Sequence, residues 1–363
     1  MIDELLKKID DSDKAETATL IENEITRKGQ AWKIHSALFP VVQRVLNPPF
    51  INPHLPKMYR ICREFLPYLK EDDIPALVRL EINEYTQRPK LKEIQKRPGQ
   101  ESSVSFAKIK DAIREGDREK VAVLLNAFLE NKGAAALAHD LLLLGSGYLS
   151  QTLGHSVSCT AFILLEMMER SDHDPWPALA ALADYFCKGQ FHTMLALRSA
   201  PELNSEEVLA QHLLRATSGN GIVNLHHTIT RYSIERARHL LSEAEYTHML
   251  SCWVEFMGDK EAASPSPISP VKPLSDYAGF YQVFSKRNGE AVLPCLTGMI
   301  SSKAGRKRLG RYLIKGICDQ YQGSYDPHFI NGLGSTLWVV EKYHEQVPLA
   351  MNALRQYLDY FFA

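Results

Sequence analysis

Apolar residues recur along this chain at intervals of three and four for most of its length. Over residues 3–28, Leu5, Leu6, Ile9, Ala18, Leu20, Ile21 and Ile25 sit among charges, the stripe of an amphipathic helix. The same spacing predicts helices over 32–46, 57–69, 74–87, 105–114 and 117–131, with Gly116 and Gly133 as stop signals. Between 32–46 and 57–69, NPPFINPHLP cannot continue a helix and reads as a turn. Residues 134–188 are the most apolar stretch. They predict a helix over 134–144, a stop near Gly145-Ser146-Gly147, a longer helix to about Arg170, a turn at DHDPWP and a helix over 178–188. Further helices follow over 206–217, 222–241, 243–257, 278–285, 291–301, 304–320 and 329–362, the last broken near Pro348. No sustained period-two alternation or Asn-Gly hairpin signal occurs. The expected class is all-α.

Residues 88–104 and 258–277 are rich in proline and polar side chains and read as exposed loops. The expected organisation is an N-terminal helix over 1–30 and one large all-α domain over 31–363. A spacing hints at repetition. His35, His155, His227 and His328 are each followed, 28 to 31 residues on, by an acidic residue and an aromatic: Glu64-Phe65, Asp184-Tyr185, Glu255-Phe256 and Asp359-Tyr360. This predicts stacked αα-hairpins forming a helical repeat or toroid-like domain.

Hydrophobic residues make up 45% of the 363 and charged residues 23%, ordinary for a globular chain. The formal net charge of −1 gives no overall attraction to nucleic acid or to a membrane. No apolar run approaches the roughly 20 residues of a membrane span, and MIDELLKKIDDSDK is too acidic for a signal peptide. A cytoplasmic location is expected. The six cysteines form no CxxC pair and read as reduced, buried hydrophobes.

Histidine is the candidate for chemistry, since it titrates near neutral pH and serves as acid, base or metal ligand. His139, His155, His226, His227 and His328 lie in or beside apolar helical segments and are the candidate catalytic residues. GxGxxG, GxxxxGK[ST], GxSxG and HExxH are all missing. Two Glu-x-x-His pairs, Glu245/His248 and Glu341/His344, have polar surroundings that suit solvated faces rather than a di-iron bundle. No metal-ligand set is assigned from sequence. Lys303, Arg306 and Arg308, in the basic run 303–311, are candidates to hold a phosphate, such as that of a nicotinamide cofactor.

Four stretches resemble the questin oxidase-like family. They are IREGDREKVAVLLNAFLENKGAAALAHDLLLLG, GHSVSCTAFILLEMM with the following DPWPALAALADYF, Val223 to Thr230, and Asp326-Pro-His328-Phe-Ile-Asn331-Gly. In the last, Asn331 stands where the family usually has lysine. The resemblance spans roughly residues 30 to 360. It implies an all-α oxidoreductase acting on an aromatic or polyketide-like small molecule, related to fungal proteins that open an anthraquinone ring by a Baeyer–Villiger-type oxidation, with NADPH implicated. Carried onto this chain, the positions of interest are His139, His155, His226 or His227, and His328. The site would be an apolar cavity lined by aromatics such as Tyr148, Phe162, Tyr185, Tyr232 and Trp253. The expected partners are a small-molecule substrate and, as an option, further copies of the chain. Two other readings stand beside this one: a non-catalytic helical scaffold or binding protein, and a metal-dependent, non-haem iron oxygenase.

Overall fold

A computed structural model describes residues 2–25, 29–96, 104–170, 172–259, 261–262, 274 and 276–363. Among these residues the chain forms twenty α-helices, four short 3-10 turns and no strand, with only two isolated bridges. The all-α expectation holds.

Helix boundaries differ from the sequence pattern where local chemistry intervenes. The stripe over 3–28 divides into Ile2–Asp10 and Lys14–Ile25, with Ser12 at φ 59° between them; residues 26–28 lie outside the described ones. The span 32–46 becomes Gln30–Ala37 and the short Phe39–Val42, which has Pro40 in its first turn. The helix expected from 57 starts instead at His54, directly after Pro53. Pro56 fits within that first turn, where a missing N–H costs nothing. The break near Pro348 is present, separating His328–Lys342 from Val347–Phe362. Residues 89–96 form no helix, as expected for that loop, while 97–103 and most of 260–275 lie outside the described residues.

Four helices form the centre: α1 (His54–Phe65), α2 (His155–Glu169), α3 (Ile222–Ala237) and α4 (His328–Lys342). Each packs on the next, and α4 closes back on α1. Contacts advance in step along them. One turn or two beyond the starts, a Cβ on Gly334 of α4 would lie 2.6 Å from the Ile61 side chain of α1, and Phe162 of α2 meets Tyr232 of α3 at 5.3 Å. All four therefore run in the same direction, and their amino ends meet at one end of the bundle. Such a central helix has no solvent face, so it is apolar nearly all round. On α2 every residue from His155 to Met167 is buried, which explains why VSCTAFILLEMM shows no polar stripe.

The far end of the bundle is tied by charge. Glu166 of α2, fully buried, accepts from Arg60 (2.9 Å) and Arg63 (2.9 Å) of α1, and Arg60 also pairs with Glu169 (2.7 Å). Arg236 of α3 reaches Glu64 of α1 at 2.8 Å. Two hydrophobic clusters, each shared between inner helices and the ones around them, make up the core.

Replacing Glu166 with alanine strands a guanidinium that is only 4% exposed. A loss of about 3 kcal/mol of stability is expected, at the lower end for a broken buried ion pair because Arg60 keeps Glu64 and Glu169. Urea unfolding of Glu166→Ala against wild type measures it, and an unchanged midpoint would contradict the role given to this pair.

Candidate metal centre

Each inner helix brings one imidazole to the meeting point. His54, His155 and His328 are the first residues of α1, α2 and α4, and His226 lies one turn into α3. The starts of two of these helices are set by the backbone before them. Gly154, at φ 78°, turns the chain into α2 so close to α3 that a Cβ there would run into Thr230 Oγ1. Pro327, with its fixed φ, leads into α4.

All four rings are buried, and Nε2 of His155 faces those of the other three. His155 Nε2 lies 2.7 Å from that of His54, 3.1 Å from that of His226 and 3.4 Å from that of His328. Ligand nitrogens of His54, His155 and His328 all fall within 4.8 Å of one another. The opposite ring nitrogens are engaged by acceptors. Nδ1 of His155 donates to the Thr152 carbonyl (2.5 Å), Nδ1 of His226 to the Ile222 carbonyl (2.7 Å), and Nδ1 of His328 to Asp326 Oδ1 (2.6 Å). A carbonyl or carboxylate oxygen can only accept, so these three rings carry their hydrogen on Nδ1 and a lone pair on Nε2. Tyr360 donates to the other Asp326 oxygen (2.7 Å). On His54, Nδ1 faces Asn47 Nδ2 at 3.1 Å.

Burial first, and then neighbouring imidazoles and Lys57, push His54, His155 and His226 well below the ordinary imidazole range. Burial lowers His328 too, against the pull of Asp326. Helix amino ends add to this preference for neutral rings. Asp326 is held well below the usual carboxylate range: its own burial acts the other way but is outweighed by the His328 hydrogen bond.

A polar layer lies one turn below. Lys57 follows His54 by three residues, is fully buried and approaches Ser158 Oγ at 3.4 Å; burial lowers its pKa. Asn331, three after His328, is fully buried with neither amide atom paired.

Three converging lone pairs with no hydrogen between them repel, and a cation satisfies them together. At about 2.0–2.1 Å per metal–imidazole bond, two nitrogens on one ion sit roughly 2.9 Å apart at right angles and roughly 3.4 Å apart at a tetrahedral angle. The 3.4 Å between His155 and His328 matches, and with His54 these form the group whose nitrogens all lie within 4.8 Å of one another, a group that does not include His226. Nδ1 donors to carbonyl or carboxylate oxygens are also the outer contacts that orient metal-bound histidines. The donor set thus fits a divalent transition metal.

Of the five histidines singled out from sequence, the fold brings together His155, His226 and His328. His139 stands apart, 30% exposed and bonded to Glu245 (2.7 Å) and Asp140 (2.9 Å). His227, next to His226, points to a different side, where its ring meets Phe256 edge-on at 4.7 Å and its carbonyl accepts from Trp253 (2.8 Å). His35 does not open a helix as the repeat pattern supposed. It lies near the end of Gln30–Ala37, stacked between Trp32 and Tyr59 and bonded to Glu81 (2.8 Å). His54 occupies the corresponding place, and Glu64 belongs to the same helix as His54 rather than to a returning one. The signal for His54 was available: like His155 and His328, it follows a glycine or proline that starts a helix.

Arg306 is committed to Glu341 (2.9 Å) and the Ile300 carbonyl (2.9 Å), Lys303 is exposed and Arg308 half-buried. Phe162, Tyr185, Tyr232 and Trp253 belong to the packed core, with Tyr148 against it. Two surface clefts, of about 580 and 760 Å³, are lined by none of the four imidazoles. Phe50 (59% exposed) and Val223 (48%), two of the five large apolar side chains exposed among the described residues, lie next to imidazoles. Phe50 sits edge-on to His54 at 6.0 Å, and Val223 lies one turn before His226. No family model, curated protein or solved structure matches the chain.

The depressed imidazoles make a prediction about pH. The unfolded chain takes up protons on histidine near pH 6.5, while the folded metal-free protein does so only at lower pH. Their contribution to stability is therefore complete above about pH 6.5 and declines as the pH falls below it. His139 opposes this weakly, its pKa being raised because Glu245 and Asp140 outweigh its burial. The urea midpoint of metal-free protein is expected to be lower at pH 5 than at pH 8, and equality would contradict the assignment of neutral rings.

Proposed function

We propose that the imidazole cluster holds a divalent transition metal and that the protein is a metal-dependent oxidoreductase acting on an apolar, aromatic small molecule, of the questin oxidase type. The observation that carries this reading is the convergence of His54, His155 and His328, whose ligand nitrogens all lie within 4.8 Å of one another, with the His155 and His328 lone pairs fixed inward by Nδ1 acceptors and His226 Nε2 3.1 Å from that of His155. Imidazoles this buried and this close are costly as bare neighbours and favourable around an ion. An ion held by neutral imidazoles keeps its full charge, and a redox-active one such as iron(II) supplies Lewis acidity and electron exchange with dioxygen.

The chain's own residues do the rest. Asp326, held by Tyr360, keeps the His328 ring turned inward. Lys57 and Asn331 offer a buried amine and amide one turn beneath the imidazoles, where a proton can be held or an oxygen oriented. Phe50, which packs edge-on against His54, and Val223, one turn before His226, put exposed apolar side chains beside the imidazoles, which suits a flat aromatic.

Purified protein reconstituted anaerobically with iron(II) is expected to retain about one ion per chain by elemental analysis, and His155→Ala to retain less than about a tenth of that. His139→Ala is expected to bind as wild type does, since its ring is elsewhere. The loaded protein should consume dioxygen when given a hydroxylated anthraquinone. Failure of wild type to hold iron, zinc or cobalt would sink the metal reading, and metal binding without oxygen consumption on any aromatic would leave a non-catalytic metal protein.

A further inference from the structure

We infer that Lys57 and Asn331, with Ser158, form an oxyanion-binding layer on the inner face of the imidazole cluster, which receives an anionic oxygen ligand of the metal. The inference rests on the metal reading above and names the ligand class that the inner face of that site takes.

The layer is laid down by one spacing repeated on three helices. His54 is followed three residues on by Lys57, His155 by Ser158 and His328 by Asn331. Residues three apart share a helix face, and at 1.5 Å per residue the second set lies about 4.5 Å deeper than the first. Helical side chains lean back toward the amino end, so this set leans toward the imidazoles from below. Lys57 reaches far enough to act on all four rings. Beyond burial, it is one of the groups that disfavour a proton on each of them.

Partners within the layer do not use up its hydrogens. Lys57 is fully buried, and charged or neutral its amine has more than one N–H, yet its hydrogen bond to Ser158 Oγ is long at 3.4 Å. Asn331 is fully buried too, with neither amide atom paired. Buried amides without partners are rare. Two such groups on facing helices make a place for an acceptor.

Charge selects which acceptor. A divalent ion brings two positive charges to neutral imidazoles. The carboxylate that acts on His226 and His328 is Asp326, already shared between His328 and Tyr360. Positive charge is left in excess in a buried place, and an amine beside it adds to the excess. An anion bound to the ion and accepting from Lys57 and Asn331 answers both the charge and the unused donors. Its oxygen comes from reduced dioxygen or from an ionised hydroxyl of an aromatic substrate, and full burial of the layer favours the smaller.

Cobalt(II)-loaded protein titrated with azide, which stands in for a small dioxygen-derived anion, and with catechol, for an aromatic hydroxyl, tests this by absorption. Lys57→Met and Asn331→Leu keep the volume and remove the donors. Azide affinity is expected to fall at least tenfold in Lys57→Met and at least threefold in Asn331→Leu, with cobalt(II) held no less tightly than a third of wild type. A like fall for catechol instead would assign the layer to the substrate oxygen. Unchanged affinity for both overturns the inference, as does wild type that holds cobalt(II) and takes up neither anion. Wild type that holds no metal overturns the metal reading itself, a distinct result. Should the variants fail to fold, infrared spectra of azide on cobalt-loaded wild type decide it. The azide stretch is expected to shift on equilibration in heavy water, as for a hydrogen-bonded anion, and an unshifted band would overturn the assignment.

Discussion

Four inner helices running one way bring four amino ends to a single point, and like-oriented helix dipoles side by side oppose that arrangement. The surrounding structure compensates. Returning helices such as Val347–Phe362 pack against the inner four. At the carboxyl ends, where the dipoles are negative, Arg60, Arg63, Arg231, Arg236 and Lys342 gather with their glutamate partners. At the amino ends the same field keeps imidazoles neutral and welcomes negative charge. A cluster of uncharged nitrogen donors at the positive pole of four helices binds a cation only through lone pairs, and draws an anionic oxygen to whatever it binds.

Much of the fold was legible because central and peripheral helices write different patterns. The uniformly apolar GHSVSCTAFILLEMM was recognisable as the middle of the protein before its neighbours were known. Proline and glycine marked most breaks, Pro348 among them. The site was half legible. His155 and His328 lie directly after backbone punctuation that fixes where a helix starts, and His226 lies one turn into its helix. His54 carries the same mark, Pro53 before it, but NPPFINPHLP reads as a turn throughout, and the helix that begins within its last three residues is missed. His139 and His227 misled for the opposite reason. Both sit on suitable helices, but period 3.6 turns His227 about 100° from His226, and His139 meets two carboxylates instead of other imidazoles. Which rings converge depends on how four helices register with one another, and that information is spread over the chain.

The polar layer under the imidazoles is built from two inner helices. Asn331 of α4 contributes a buried amide with neither atom paired, and Lys57 of α1 contributes a buried amine next to Ser158.

The sequence distances within the cluster have a consequence for how the protein is made. His155 is separated from its three imidazole neighbours by 101, 71 and 173 residues. No local segment, and no partly synthesised chain short of α4, contains the full set. Loop closures this long are slow to form and come late in folding. A bound ion would therefore report completion: it adds stability only to chains that have threaded all four helices into register, by the mass action with which any ligand favours the state that binds it. Supply of metal would then govern how much finished protein persists as well as what that protein does.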